Sequence, residues 1–345
     1  MIEEMAESHT PLIRNCWYVV GWGTEVGRNL LSRRVLGRPI VLYRTADGTP
    51  VALHDRCPHR SMPLSKGSLE GDQIRCGYHG LRFDSTGRCT EAPTAGHPLQ
   101  AMTVPGYRLA EHGPLLWLWL GAGEADEAAI PNTEWLCDDR WSYGYGSMSL
   151  SSNYVGLHEN LLDLSHFTFL HPGSIGTPEY ARAPIHVTVE GNVVKVERYV
   201  ADCAVPGIYA STGLAEGRIS RRTVSEFRSP GLHAASVELR PVATETGGGD
   251  PFRVRITHFV TPQDMHSTHY FFTIARDFAQ NDASVTERMR ADALSAFSQD
   301  ADALEAIAAN QELDPSFIEK SMKSDHAGIL MRRILKRLSD AEASP

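Results

Sequence analysis

The sequence predicts an α+β protein in which an all-β part comes first and an antiparallel sheet covered by helices follows. Three observations carry this. Residues 11–121 hold short β-branched or aromatic runs parted by Gly, Pro and Asp turns. Residues 186–275 repeat the pattern in longer runs, and the chain closes on two stretches, 284–311 and 315–338, whose apolar residues recur at three and four. At 345 residues the chain is long for one core, so two domains are expected, at 11–121 and 122–345.

Strands in the first part are expected at 16–21, 39–44, 51–54, 73–76, 81–83 and 115–120, with a turn at 46–50. The looser, acidic stretch 122–139 reads as the passage to the second domain. That domain opens on a helical pattern at 150–171, then alternates strand-like segments at 186–190, 193–200, 223–227, 234–240, 253–261 and 267–275. Gly247–Gly249 reads as a flexible hairpin or loop, and no internal repeat is found.

Lys+Arg 33 against Asp+Glu 42 gives a net charge of -9, and no basic stripe with interleaved aromatics occurs, which argues against nucleic acid as a partner. The longest strongly apolar run, 114–120, falls far short of the roughly 20 residues of a membrane helix and reads as a buried strand. The start, MIEEMAESHT, has no apolar signal region, so a cytoplasmic location is expected. Cys16, Cys89, Cys137 and Cys203 show no paired spacing and are expected to be reduced thiols.

The other two cysteines are more informative. Cys57 and His59 in CPHR, then sixteen residues, then Cys76 and His79 in CGYHG make a Cys-x-His…Cys-x-x-His pattern. Two thiolates can hold one iron of a [2Fe-2S] cluster and two imidazoles the other, and losing two negative ligands raises the reduction potential. Zinc also takes two cysteines and two histidines, but its finger sites usually pair Cys with Cys and His with His. Here each loop offers one of each. Pro58 stiffens one loop, and Gly77 and Gly80 let backbone approach a cluster.

A second cluster of candidate ligands lies at Asn160, Asp163, His166 and His171. Asp163 and His166, three apart, are expected to share a helix face. His166 and His171, five apart, sit about 140° around an ideal helix, so both reach one metal only if the helix bulges or ends between them. Pro172 and Gly173 supply a stop. Two imidazoles and a carboxylate form the facial triad of non-heme Fe(II) oxygenases, with positions left for dioxygen and substrate. Asp300 is the preferred third ligand, and spacing alone leaves Asp302 and Glu305 open. A redox cluster needs an electron sink, and a second iron provides one.

Segments 57–84, 114–121, 159–176, 257–262, 297–306 and 324–335 together resemble the Rieske non-heme iron oxygenases, specifically oxygenase components of the vanillate and dicamba O-demethylase type. The likeness spans nearly the whole chain. It implies an N-terminal Rieske [2Fe-2S] domain with Cys57, His59, Cys76 and His79 as ligands, and a catalytic domain whose mononuclear Fe(II) is held by His166, His171 and Asp300. Asp300 matches the Asp of a Glu-Asp-Lys segment that reads Gln299-Asp300-Ala301 here. The resemblance also implies a head-to-tail homotrimer in which Asp163 bridges a cluster histidine of one subunit to an iron-bound histidine of the next, with Asn160 near that iron. His258 matches a substrate-contacting position, and Ala291 stands where dicamba O-demethylase-like enzymes carry a pocket Trp.

The expected reaction inserts one oxygen of O2 into a C–H bond of an aromatic or related cyclic substrate. From an aryl methyl ether it releases formaldehyde and a phenol. No flavin or nicotinamide fingerprint occurs, so a separate NAD(P)H-dependent reductase, directly or through a ferredoxin, must supply electrons. A ring cis-dihydroxylase uses the same iron but tends to be longer, and a bare electron carrier would lack it.

Overall fold

The computed structural model describes residues 11–212, 217–242 and 251–343, so the Gly247–Gly249 loop lies outside the described residues. The described chain divides into two compact units, Arg14–Thr133 and a second drawn from Glu134–Pro345 with the start of the chain. Among the described residues no helix is long and apolar enough to cross a membrane.

The first unit is all β. Its strands are β1 (Trp17–Trp22), β2 (Leu31–Val35), β3 (Arg38–Arg44), β4 (Pro50–His54), β5 (Ser68–Glu70), β6 (Gln73–Arg75), β7 (Arg82–Phe83), β8 (Cys89–Glu91), β9 (Arg108–His112) and β10 (Leu115–Trp119). They form three small antiparallel sheets, ordered β1-β10-β9, β2-β3-β4 and β5-β6-β7-β8. The apolar run 114–120 is β10, with Leu115 to Leu118 fully buried. Four strands were not expected, namely β2, β5, β8 and β9. Each is short or rich in charge, and charged residues mask a strand whose partners alone define it.

The second unit is one seven-stranded antiparallel sheet with helices. Its strands are β11 (Ser142–Leu150), β12 (His186–Glu190), β13 (Val193–Ala204), β14 (Arg218–Ser229), β15 (Leu232–Pro241), β16 (Phe252–Pro262) and β17 (Thr268–Arg276), ordered β11-β17-β16-β15-β14-β13-β12. The helices are α1 (Tyr154–Leu162), α2 (Phe167–Leu170), α3 (Pro178–Ala181), α4 (Gly207–Ala210), α5 (Ala283–Leu313) and α6 (His326–Ala343). α1 packs on β14 and β16, and α5 on β11 and β17. Register places Ser225, Ala235, Ile256 and Ile274 in one row beneath these helices, while Arg222, Ser236, Arg253 and Arg255 on alternate positions are exposed.

Three expectations need correction. The helical stretch at 150–171 is the end of β11 followed by two separate helices, α1 and α2. The last helix does not run from 315 but starts at His326; the Asp314 side chain accepts the Ser316 N–H at 3.2 Å in a turn, and Asp325 accepts the Met322 N–H at 2.5 Å just before α6. β11 itself was missed because Gly144 and Gly146 depress strand propensity. Close packing explains them: a Cβ at Gly146 would stand 2.6 Å from the Phe272 ring, and one at Gly144 2.8 Å from Arg290.

Candidate active site

Two matched loops carry the cysteine–histidine pattern. The Cys57 N–H donates to Met62 O at 2.8 Å and Ser61 N–H returns to Cys57 O at 2.9 Å; the Cys76 N–H donates to Leu81 O at 2.8 Å and Gly80 N–H to Cys76 O at 3.1 Å. In both loops the fourth residue after the cysteine is left-handed, Ser61 at φ 59° and Gly80 at φ 74°. Asp55, which sequence reasoning passed over, anchors the first loop. It accepts the Ser65 N–H at 2.6 Å and the hydroxyls of Ser65 at 2.6 Å and Ser32 at 3.0 Å.

Cys57 and Cys76 are buried, while His59 is exposed and His79 half-buried, their rings 4.5 Å apart edge-on. Burial pushes the Cys57 thiol pKa up, and the adjacent Cys76 adds to it. Sulfur donors inside and nitrogen donors at the rim fit a [2Fe-2S] cluster with one iron on each pair.

In the second unit, Asn153 caps α1 by accepting the Gly156 N–H at 2.9 Å, and the helix closes where the Asp163 N–H donates to Glu159 O at 2.8 Å. Asp163 then leaves helical geometry at ψ 95°, its carboxylate accepting the Ser165 N–H at 2.8 Å. Asp163 and His166 therefore do not share a helix face, contrary to the reading of one continuous helix. The break is what brings His166 and His171 together. They flank the single turn of α2, with ring centroids 5.2 Å apart.

α5 supplies the carboxylate. Asp300 Oδ1 lies 3.1 Å from His171 Nε2 and 3.4 Å from His166 Nε2, the latter within ion-pair reach but without a directed hydrogen bond. Donor atoms of His166, His171 and Asp300 all fall within 4.8 Å of one another. Asp302 is exposed, and Glu305 is turned away to accept the Ser151 N–H at 2.7 Å. Burial alone would raise the Asp300 pKa, but His166 and His171 beside it hold it at about 2.

Partners around the triad set its orientation. Asn160 Nδ2 donates to Asp300 Oδ1 at 3.0 Å. Gln299 Oε1 accepts from His171 Nδ1 at 2.7 Å, which fixes the ring orientation and directs Nε2 at the Asp300 carboxylate. Gln299 was read only as a flank of Asp300. Both ring nitrogens of His166 are buried without a hydrogen-bond partner among the described residues. Orphaned imidazole nitrogens next to a carboxylate are the donor set an iron of this type takes. Within this chain Asp163 makes no hydrogen bond to His166.

The triad faces an apolar cavity walled by α1, α5 and the covered face of the sheet, with Leu161, Val237, Ile256, Ile274 and Phe297 among its lining residues. His258 lines it too and is buried, not solvent-facing; its Nδ1 meets the Tyr270 hydroxyl at 2.5 Å, and burial lowers its pKa to about 3. Ala291 does not line the cavity. It sits on the exposed side of α5, whereas Ala293 and Phe297 face inward.

The fold and these two sets of residues define a Rieske-type oxygenase, and comparison with known proteins agrees. Residues 16–108 match the Rieske [2Fe-2S] domain and residues 150–341 the vanillate O-demethylase oxygenase C-terminal domain. The chain belongs to the Rieske non-heme iron oxygenases of the vanillate O-demethylase type and carries a [2Fe-2S] cluster and a mononuclear iron.

It is 32% identical over 96% of its length to the oxygenase component of chloroacetanilide N-alkylformylase from Rhizorhabdus wittichii, and covers 97% of that protein. It is 31% identical to the vanillate O-demethylase oxygenase subunit of a Pseudomonas species, covering 95% of each chain. Dicamba monooxygenase bound to 3,6-dichlorosalicylic acid has the same fold, with TM-score 0.89 and 28% identity over 97% of this chain and 100% of the other. The chain is an oxygenase component of a multicomponent system, and works with a small-molecule substrate and a separate reductase or ferredoxin.

Proposed function

We propose that this oxygenase component hydroxylates or O-demethylates an aromatic or related cyclic substrate held in the cavity of the second unit. The observation that carries this is the convergence of His166, His171 and Asp300 within 4.8 Å at the wall of an apolar cavity. Relatives named for vanillate and dicamba O-demethylation support it. In this reading His166, His171 and Asp300 hold the iron, and Cys57, Cys76, His59 and His79 hold the cluster. Once bound, the iron supplies dioxygen activation and the cluster supplies single electrons.

The chain's own residues do the rest. Asn160 donates to Asp300 Oδ1, the same oxygen that faces His171 and His166, and so fixes how the carboxylate is turned toward the two imidazoles. Gln299 holds the His171 ring in the orientation that ligates. Leu161, Ile256, Ile274 and Phe297 bind the ring and exclude water from the reacting face. His258 stays neutral and offers Nε2 for a hydrogen bond to a polar substituent.

The domain division at 11–121 and 122–345, a cytoplasmic location and an NAD(P)H-dependent reductase, directly or through a ferredoxin, belong to the same reading. So does a head-to-tail homotrimer in which Asp163 joins His166 to a cluster histidine of the neighbouring subunit. The orphaned Nδ1 of His166 supports this role, because a metal-bound imidazole normally donates its second N–H to an outer acceptor. Asp163→Ala should then leave both metals bound while single-turnover yield falls by about 10- to 100-fold. Undiminished yield in that variant would remove the bridge.

The test of the function is a screen of methoxylated aromatic acids with O2 and a generic reductase, read by formaldehyde release. Release that depends on both O2 and reductase supports the reading. Two labelled oxygens entering a ring would replace it by cis-dihydroxylation.

A further inference from the structure

Arg221 on β14 is fully buried, and it is the single Lys or Arg among the described residues that line the cavity. Its Nε donates to the Thr223 hydroxyl at 3.1 Å and one Nη to Ile175 O at 2.7 Å. The other nitrogen, Nη2, is buried without a partner. No carboxylate forms an ion pair with this side chain among the described residues. A permanent charge so placed is costly, and an aliphatic residue of similar volume would serve stability better.

Partial compensation comes from aromatic faces. The guanidinium carbon lies 4.5 Å from the Tyr180 ring centroid and 5.9 Å from that of Phe167. The Phe167 centroid is 4.9 Å from that of His166. The cation and the triad's His166 therefore both neighbour one phenylalanine ring. Tyr209 and Thr223 line the cavity beside Arg221, and its positive charge offsets part of the burial-driven rise in the Tyr209 pKa.

The remaining ionisable groups of the cavity wall add no competing anion. Asp300 is engaged by His166, His171 and Asn160, and His258 is neutral. What the Arg221 end lacks is an anionic oxygen pair. A planar fork with a free arm is suited to a carboxylate or sulfonate.

We propose that Arg221 anchors an anionic oxygen group of the substrate, carboxylate or sulfonate, and so determines which substrates are accepted and which end of them faces the triad. This rests on the reading that the cavity holds the aromatic substrate. A bound anion would take the free Nη2 as donor, with the Thr223 hydroxyl, already at Arg221 Nε, beside it.

The experiment is anaerobic calorimetric titration of the holoenzyme with 4-methoxybenzoate, 4-methoxybenzenesulfonate and the neutral isostere 4-methoxybenzamide. At least one anion should bind about tenfold or more tightly than the amide, and the two anions ranked against each other assign the headgroup. In Arg221→Met that preference should shrink to within about twofold through loss of anion affinity, and Arg221→Lys should restore part of it. Equal affinity of wild type for anions and amide, or no binding of either anion at millimolar concentration, overturns the proposal even if no variant folds. A preference that survives in Arg221→Met overturns it as well. Formaldehyde release under O2 and reductase, measured on the same three probes, reports separately on the proposed reaction, so either can fail alone.

Discussion

Asp300→Ala is expected to lower iron from about three to about two per chain and to cut turnover by about a thousandfold or more, the loss of several kcal/mol that a positioned metal supplies. Two imidazoles flanking a single turn of helix cannot hold a ferrous ion against water once the carboxylate between them is gone. The cluster loops lie in the other compact unit, so their visible absorption should persist. Asp302→Ala is the control, since that side chain points to solvent two residues further along α5. Full iron content in Asp300→Ala, read by metal analysis, would show that another group completes the triad.

Acid should destabilise the second unit steeply, and below the ordinary histidine range. His158 on α1, His233 on β15 and His258 on β16 are buried together. Burial lowers the His158 pKa to about 4 and that of His258 to about 3, and pushes His233 well down. His158 Nε2 faces Pro230 O at 3.1 Å, the two Nδ1 atoms of His158 and His233 stand 3.5 Å apart, His233 Nε2 meets Ser225 Oγ at 2.7 Å, and that hydroxyl also reaches Leu161 O at 2.7 Å. Two neutral imidazoles and one hydroxyl bring three protons to these four links. The 3.5 Å contact is the link left without one.

The sign follows from the lowered values. Unfolded histidines take protons below about pH 6.5 and these folded ones do not, so their contribution is complete above that pH and is lost as pH falls. Each contributes a slope of up to about 1.4 kcal/mol per pH unit, or about 4 for the three together, between about pH 6 and pH 4.5. Urea midpoints measured across that window should fall. In His158→Gln/His233→Gln the fall should be much shallower, and an unchanged slope would mean that other groups carry it.

Legibility of this chain from sequence tracked how local the determining interaction was. The cysteine–histidine loops were readable because both donors of each pair lie within four residues of each other. α5 was readable because 31 residues keep one helical phase. The break at Asp163 was not, since an aspartate that accepts the Ser165 N–H looks in one dimension like any helical acid. Gln299 matters through His171, 128 residues back, and Arg221 through Ile175 and the Tyr180 ring, contacts that nothing in their own neighbourhoods marks; Asp55 is marked no better. The Ala291 assignment failed by the angle of about 200° that separates positions two apart on a helix, which is what distinguishes it from the inward Ala293.

The matched closure of the Cys57 and Cys76 loops bears on where the chain can vary in length. Each loop is sealed by a bond from residue i to i+5 and a return from i+4, so one added or deleted residue in either would unseat a sulfur from its mate. The connection between them is tied at its tip too, where Gly71 turns the β5–β6 hairpin at φ 58°: Gly71 O accepts from Arg28 Nη2 at 2.6 Å, and Asp72 Oδ1 accepts the Ala46 N–H at 2.7 Å. Length is therefore fixed from one cysteine loop through to the other, since an insertion even at that tip must break its bonds to Arg28 and Ala46.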